Sequence, residues 1–276
     1  MRTLHAGAVS YLNTKPLVYG IERGDATGLF ALEYDVPSRC AAKLAAGELD
    51  LALIPSIEYT HQPGYSAVQG LCISSNGPAR SVLLFSRVPF GEIRSAGIDA
   101  GSRTSAALLR ILLRERHGAD PVFVEDTADL ASMLARHDAA LIIGDRALFT
   151  PPEAVRGLHV MDLGEEWKLL TGLPFVFALW AGPEGIASER HSIALSDSLD
   201  AGLAHLPEIA ERFLWEGSAH PAFVLPYLRD NMKYRLQQPE RDGLLRFYLL
   251  AGRHHLIDDV PDLIFFGEHV ADGALR

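Results

Sequence analysis

Cysteine is nearly absent: Cys40 and Cys72 are the only two among 276 residues. Two thiols in a chain of this length make no disulfide framework, and both lie in apolar stretches, so both read as small buried hydrophobes. Basic residues are also in deficit. Lys and Arg number 25 against 35 Asp and Glu, a formal net charge of −10, which excludes a nucleic-acid phosphate backbone as partner. It does not exclude a small anion, because backbone N–H groups at a helix start bind one locally. No apolar window approaches the roughly 18–20 residues of a membrane span, and residues 1–10 lack the apolar core of a secretory leader. A cytoplasmic protein is therefore expected. Familiar catalytic motifs are missing as well: GxSxG, HExxH, CxxC and GxGxxG do not occur, and residues 97–103 have the wrong spacing and no lysine for a P-loop. His254 and His255 are adjacent and cannot share a helix face. Neither a metal nor a cofactor is expected.

What the sequence does have is rhythm. Hydrophobic residues make up 48 % and charged residues 22 %, ordinary globular values that support a packed core. Short apolar runs at 4–9, 30–36 and 49–54 alternate with helical patterns at 16–23 and 38–44, a βαβαβ order that predicts a parallel sheet. Further strands are expected at 68–73, 81–86, 96–98, 121–124, 139–143, 160–162 and 175–181, with helices at 104–116, 127–136 and 163–170. From about residue 188 onward the pattern is helical: 193–206, 207–215, 222–234 and 240–253. The expected fold is α/β and two-lobed. Residues 1–86 and 181–276 form lobe 1, residues 87–180 form lobe 2, and the strands near 81–86 and 175–181 make the crossings. In such folds a ligand sits where strand C-termini and helix N-termini face each other.

The loops at those strand ends share a chemistry of hydroxyls, amides and glycine. They contribute Ser10, Tyr11 and Asn13; Ser56; Ser75, Asn76 and Gly77; Ser102, Arg103, Thr104 and Ser105; and Gly144 with Asp145. Side chains of this kind, beside the free N–H groups of a helix start, hold carboxylates or phosphates. The strongest single anion site is 101–105; the plain alternative is an N-cap without a ligand. Asp145 follows a buried strand and begins a helix, so it is either a cleft-facing acid or an N-cap. Glu165 and Glu166 complement a helix dipole more simply than they make an acid/base pair. Trp167, Trp180 and Trp215 are candidates for the core or the lobe interface. Leu206, Pro207 and Trp215 suit a homodimer surface and ordinary packing equally.

Segments in order along residues 1–181 carry a family resemblance. The run from Val9 to Leu17, Val-Ser-Tyr-Leu-Asn-Thr-Lys-Pro-Leu, resembles the N-terminal signature of the chorismate dehydratases of the futalosine route to menaquinone. The segments 47–55, 77–82, 102–105, 141–145, 162–167 and 171–178 fit the same family. The resemblance implies a type II periplasmic-binding-protein fold turned into an enzyme, a lyase that removes water from chorismate to give 3-[(1-carboxyvinyl)oxy]benzoate. It assigns Asn13 and Ser81 to the active site, with chorismate as the small-molecule partner. The sibling 1,4-dihydroxy-6-naphthoate synthase is less similar, having a Ser-Pro-Cys-Pro-Asn-Asp signature and a histidine base about where Gly144 and Asp145 stand here.

The chemistry makes sense of the loops. Chorismate carries two carboxylates and a ring hydroxyl, and loss of that hydroxyl with a ring proton gives an aromatic ring. The protein must hold a dianion, orient it and stabilise developing charge, which calls for hydrogen-bond donors more than a nucleophile or a metal. Two bases are open: Asp145, or the substrate's own enolpyruvyl carboxylate with Asn13 and Ser81 positioning it. Outside catalysis, the alternative function is a solute-binding protein for a small carboxylate.

Overall fold

The computed structural model describes residues 2–99, 101–127, 129–215, 218–219 and 222–267. The first lobe opens with β1 (Leu4–Val9), α1 (Lys15–Glu22), β2 (Phe30–Asp35), α2 (Pro37–Ala45), β3 (Leu51–Pro55), β4 (Tyr65–Ala67) and β5 (Leu71–Ser75). Pro16 and Pro37 lie in the first turns of α1 and α2, where a missing N–H costs nothing. The second lobe follows: β6 (Val82–Ser86), β7 (Ser95–Asp99), α3 (Arg103–His117), β8 (Val122–Asp126), α4 (Leu130–Arg136), β9 (Ala139–Ile143), α5 (Gly144–Leu148), β10 (His159–Asp162) and α6 (Leu163–Thr171). The chain then returns through β11 (Phe175–Pro183), α7 (Glu189–Ala204), α8 (Leu206–Arg212), the short ribbon β12 (Leu214–Trp215) and β13 (Ser218–Ala219), α9 (Val224–Pro226), a π-helical turn Tyr227–Asn231, β14 (Met232–Arg235) and α10 (Gln238–Arg253).

The first sheet has seven strands in the order β14-β5-β11-β3-β1-β2, with β4 pairing β11; the second has five, in the order β10-β6-β9-β7-β8. The expected parallel sheet exists only in part. β1 runs parallel to β2 and β3, but β11 is antiparallel to β3, β4 and β5. Strand membership also moves the expected lobe boundaries. β6 pairs with β9 and β10 in the second sheet, whereas all of β11 lies in the first. The crossings are therefore the segments between β5 and β6 and between α6 and β11, not the strands themselves. The predicted helix over 222–234 is a second difference. Met232 and Tyr234 are buried and Lys233 and Arg235 half-buried, a period of two, and pairing with β5 places this segment in a strand.

All five residues of β3 and of β9 are buried. Each Leu so enclosed, Leu51 and Leu53 among them, contributes roughly 1.5–3 kcal/mol. Trp167 and Trp180 are fully buried, while Trp215 stacks on Phe149 with centroids 5.1 Å apart. Cys40 and Cys72 are free and buried, and burial pushes their thiols up to about 11 and about 12. Both are therefore protonated and inert at neutral pH.

One half-buried carboxylate fixes the crossing between β5 and β6. Asp162 is the N-cap of α6 and accepts the N–H groups of Gly164 and Glu165 at 2.9 and 3.2 Å, and those of Ala79 and Arg80 at 2.9 and 2.6 Å. Burial raises its proton affinity and these four donors oppose the rise. The crossing between β5 and β6 is thus held to the start of α6, and Gly164 lets the two approach. A Cβ there would lie 2.5 Å from Ser75 Oγ and 2.6 Å from the Gly77 carbonyl oxygen.

Candidate active site

Between the lobes lies a cavity of about 70 Å³ that is partly open to solvent. Val9 from the end of β1, Pro55 from the end of β3, and Ile73, Phe177, Ala178 and Met232 give it an apolar wall. The polar lining is Tyr11, Asn13, Ser81, Arg103, Thr104, Ser105 and Ser102, with the backbone of Gly101 and Gly144. Eight of the residues singled out from the sequence thus meet at one place. Asn13 stands on a single 3₁₀ turn, Leu12–Thr14, between β1 and α1. Ser102 is the N-cap of α3, and its side chain caps nothing. Its Oγ is buried without a hydrogen-bond partner, which at a helix start leaves an acceptor–donor pair free for a ligand.

The other six residues stand elsewhere. Ser10 is exposed, and its N–H donates to the Asp35 carbonyl. Asn76 is exposed, and Ser75 donates to the Gly77 carbonyl at 2.9 Å, so the 75–77 turn belongs to the crossing rather than to the cavity. Ser56 is fully buried and donates to the Val176 carbonyl at 2.8 Å. Asp145, one of the two candidate bases, does not line the cavity. It is 6 % exposed, and both its oxygens accept the Leu12 N–H, at 3.0 and 3.2 Å. Burial pushes its carboxyl up to about 6, against the Leu12 N–H and the nearby Lys15.

Contacts of this kind tie the two walls together. The Leu12–Asp145 bond joins the start of α1 to the start of α5. Across the cavity, Thr104 Oγ1 accepts the Ile57 N–H at 3.1 Å, and Arg103 pairs with Glu58 at 2.7 Å. Gly144 has φ +64°, and a Cβ there would stand 2.7 Å from the Tyr11 ring. The glycine is therefore required twice, by its backbone and by its neighbour. Burial, with Asp99 and Asp145 nearby, raises the Tyr11 phenol far above neutrality, so it is a neutral donor.

A residue that the sequence did not single out links two that it did. Tyr227 is fully buried in the π-helical turn, and its hydroxyl donates to Ser81 Oγ at 2.9 Å; the Asn13 side chain is its other polar neighbour. Nothing in the spacing pointed to it, since 146 positions separate it from Ser81 and its own segment has a helical composition.

Among the described residues lining the cavity, only Tyr11 and Arg103 are ionisable. The site can therefore donate hydrogen bonds from several directions and hold a carboxylate at the start of α3. It has no lining carboxylate or imidazole, among those residues, to take up a proton.

The comparisons with known proteins agree with this architecture. A chorismate dehydratase of Thermus thermophilus is 31 % identical over 263 residues, covering 90 % of this chain and 94 % of that protein. A crystal structure of an Archaeoglobus fulgidus protein superposes with a TM-score of 0.71 at 15 % identity, over 92 % of this chain and 98 % of the other. The Escherichia coli periplasmic aliphatic sulphonate binding protein superposes with a TM-score of 0.64 at 14 % identity, over 100 % and 96 % of the two chains. These two likenesses show the fold, which is that of the periplasmic binding proteins. The sequence profile of a family described as menaquinone biosynthesis matches residues 4–253. The chain belongs to that menaquinone-biosynthesis family.

Proposed function

We propose that this protein is a chorismate dehydratase, a hydro-lyase that converts chorismate to 3-[(1-carboxyvinyl)oxy]benzoate and water for menaquinone biosynthesis. The observation that carries the mechanism is the character of the described lining: many neutral donors and no carboxylate or imidazole. One substrate carboxylate sits at the start of α3, on the backbone N–H groups there and on the free Ser102 Oγ. The enolpyruvyl carboxylate, held near Asn13 and Ser81, removes the ring proton. The ring hydroxyl leaves as water with that proton, and the new double bond completes the aromatic ring. Donors fixed before the reaction stabilise the charge that develops as the proton departs. Asp145 holds Leu12 and takes no part as base.

The test is direct. Purified protein is mixed with chorismate and the aromatic enolpyruvyl product is followed by absorbance and chromatography. Turnover that falls at least about 100-fold in Asn13→Ala, the loss typical of one preorganised donor, supports the reading. Binding of chorismate without conversion by the wild type overturns it in favour of a receptor.

A further inference from the structure

We propose that Tyr227 is a positioning residue whose hydroxyl sets the direction of the hydrogen bonds that Ser81 and Asn13 present to the substrate. This inference rests on the activity proposed above. Tyr227 is fully buried and is not among the residues lining the cavity; it stands behind two that are. Its O–H donates to Ser81 Oγ at 2.9 Å. A serine hydroxyl has one proton and two lone pairs, so Ser81, with a lone pair occupied from behind, keeps its proton to give away. Among the described residues, the acceptor for that proton is the Ala79 carbonyl at 3.4 Å, too long to compete with a charged oxygen in the cavity. Ser81 is thereby made a donor towards the ligand. The Asn13 side chain is the phenol's other polar neighbour, and in the proposed arrangement it gives the phenol oxygen one amide N–H. An amide flips between two nearly isosteric orientations unless a partner chooses. With one amide N–H on Tyr227, Asn13 keeps its second N–H for the cavity. One hydroxyl thus polarises both groups in the same sense.

A phenol left neutral is required, and it is: burial raises Tyr227 far above neutral pH. Nearby Tyr234 supplies an internal control. It too is buried, and its hydroxyl has no partner, so it has nothing to orient.

Tyr227→Phe keeps the ring and removes the hydroxyl. It is expected to lower kcat by about 10- to 100-fold, the loss of one or two oriented hydrogen bonds, and to leave KM within about threefold, because the donors remain but are no longer held in their reactive sense. In a Ser81→Ala background the same substitution should cost clearly less than in the wild type, since the Ser81 part is already lost and only the Asn13 part remains. Tyr234→Phe should keep wild-type kcat. A wild-type kcat in Tyr227→Phe, or an equal loss with and without Ser81, overturns the proposal, as does an equal loss in Tyr234→Phe. A second readout needs no turnover. The Asn13 side-chain amide protons of ligand-free protein, assigned by their disappearance in Asn13→Asp, should exchange with solvent at least about tenfold faster in Tyr227→Phe, the loss of one protecting hydrogen bond. Unchanged exchange overturns the inference even if chorismate is turned over. Failure of the wild type to convert chorismate overturns the activity and leaves this second readout to decide.

Discussion

The starts of α1 and α3 read alike in sequence and do opposite things. Each follows a buried strand, each is rich in hydroxyl and amide side chains, and neither N-cap side chain bonds its own helix. At the 3₁₀ turn leading into α1, the second lobe supplies a carboxylate: Asp145 accepts the Leu12 N–H with both oxygens. That position is satisfied by the protein. At α3 the Asp99 carboxylate accepts the Gly101 N–H at 3.1 Å, ahead of the cap, and among the described residues no carboxylate reaches the Ser102 hydroxyl. Ser102 Oγ is buried without a partner, and the tie to the other lobe runs through neutral Thr104 and the outward Arg103–Glu58 pair. A helix start attracts negative charge in either case. The protein fills one with its own acid and leaves the other for a ligand's.

The largest effect should come from making the two alike. Ser102→Asp places a carboxylate where the substrate's is expected and fills the vacancy from within. The loss of one charged hydrogen-bonded contact and the new repulsion predict a rise of about 100-fold or more in KM for chorismate, with little loss of thermal stability. Steady-state kinetics and a melting curve together check it. Unchanged KM would remove the α3 start from the substrate's path.

The next effect falls on the other wall. Gly144→Ala forces a Cβ to 2.7 Å from the Tyr11 ring and a non-glycine into φ +64°. Backbone strain and overpacking predict a loss on the order of 2–3 kcal/mol, with reduced turnover because Tyr11 lines the cavity. Urea denaturation gives the first quantity. An undiminished midpoint would mean that the 10–14 loop yields freely and that the Asp145 bond does not hold it.

Asp145 sharpens the comparison through pH. An ordinary aspartate titrates near pH 4, and burial pushes this one up to about 6. The folded state then binds more protons than the unfolded state between those values, so this group's contribution to stability is greatest below about pH 4 and is lost as pH rises through about 6. The amount is on the order of 3 kcal/mol. Asp145→Asn keeps an acceptor for Leu12 and cannot ionise. Its stability relative to wild type should therefore rise across that window and be flat above it, as denaturation at several pH values would show. Its kcat should stay within about threefold of wild type, as expected for a carboxylate whose hydrogen bonds, among the described residues, go to the Leu12 backbone. Abolished turnover with intact chorismate binding would restore Asp145 as the base.

Much of this was legible beforehand because it is local. Period-two and period-3.6 patterns placed β1, β9, α3 and α6 within a few residues, and strand-to-helix loops nominated Asn13, Ser102 and Thr104. What the sequence concealed was long-range. β14 hides in a run of good helix formers and is a strand because β5 offers it an edge. Asp145 begins a helix after a buried strand, which suits a catalytic acid and a clamp equally, and only the position of Leu12 decides. Tyr227 gains its role from two partners that lie far away in sequence.

The smallest expected effect tests which contact anchors the start of α3. Glu58 is nearly buried, whereas the Arg103 side chain is 45 % exposed. A half-exposed ion pair contributes little, at most about 1 kcal/mol, because water screens the charge and two side chains must be ordered to form it. The Thr104–Ile57 bond is buried and involves a backbone N–H, so it is the contact that is costly to leave unmade. Glu58→Gln should therefore change KM by less than about threefold and stability by less than about 1 kcal/mol, and higher salt should narrow even that difference. Thr104→Val, which strands the Ile57 N–H, should do more on both measures. If Glu58→Gln instead exceeded Thr104→Val in kinetics and in stability, the α3 start would be anchored by charge like the 10–14 turn, and the contrast between the two would fail.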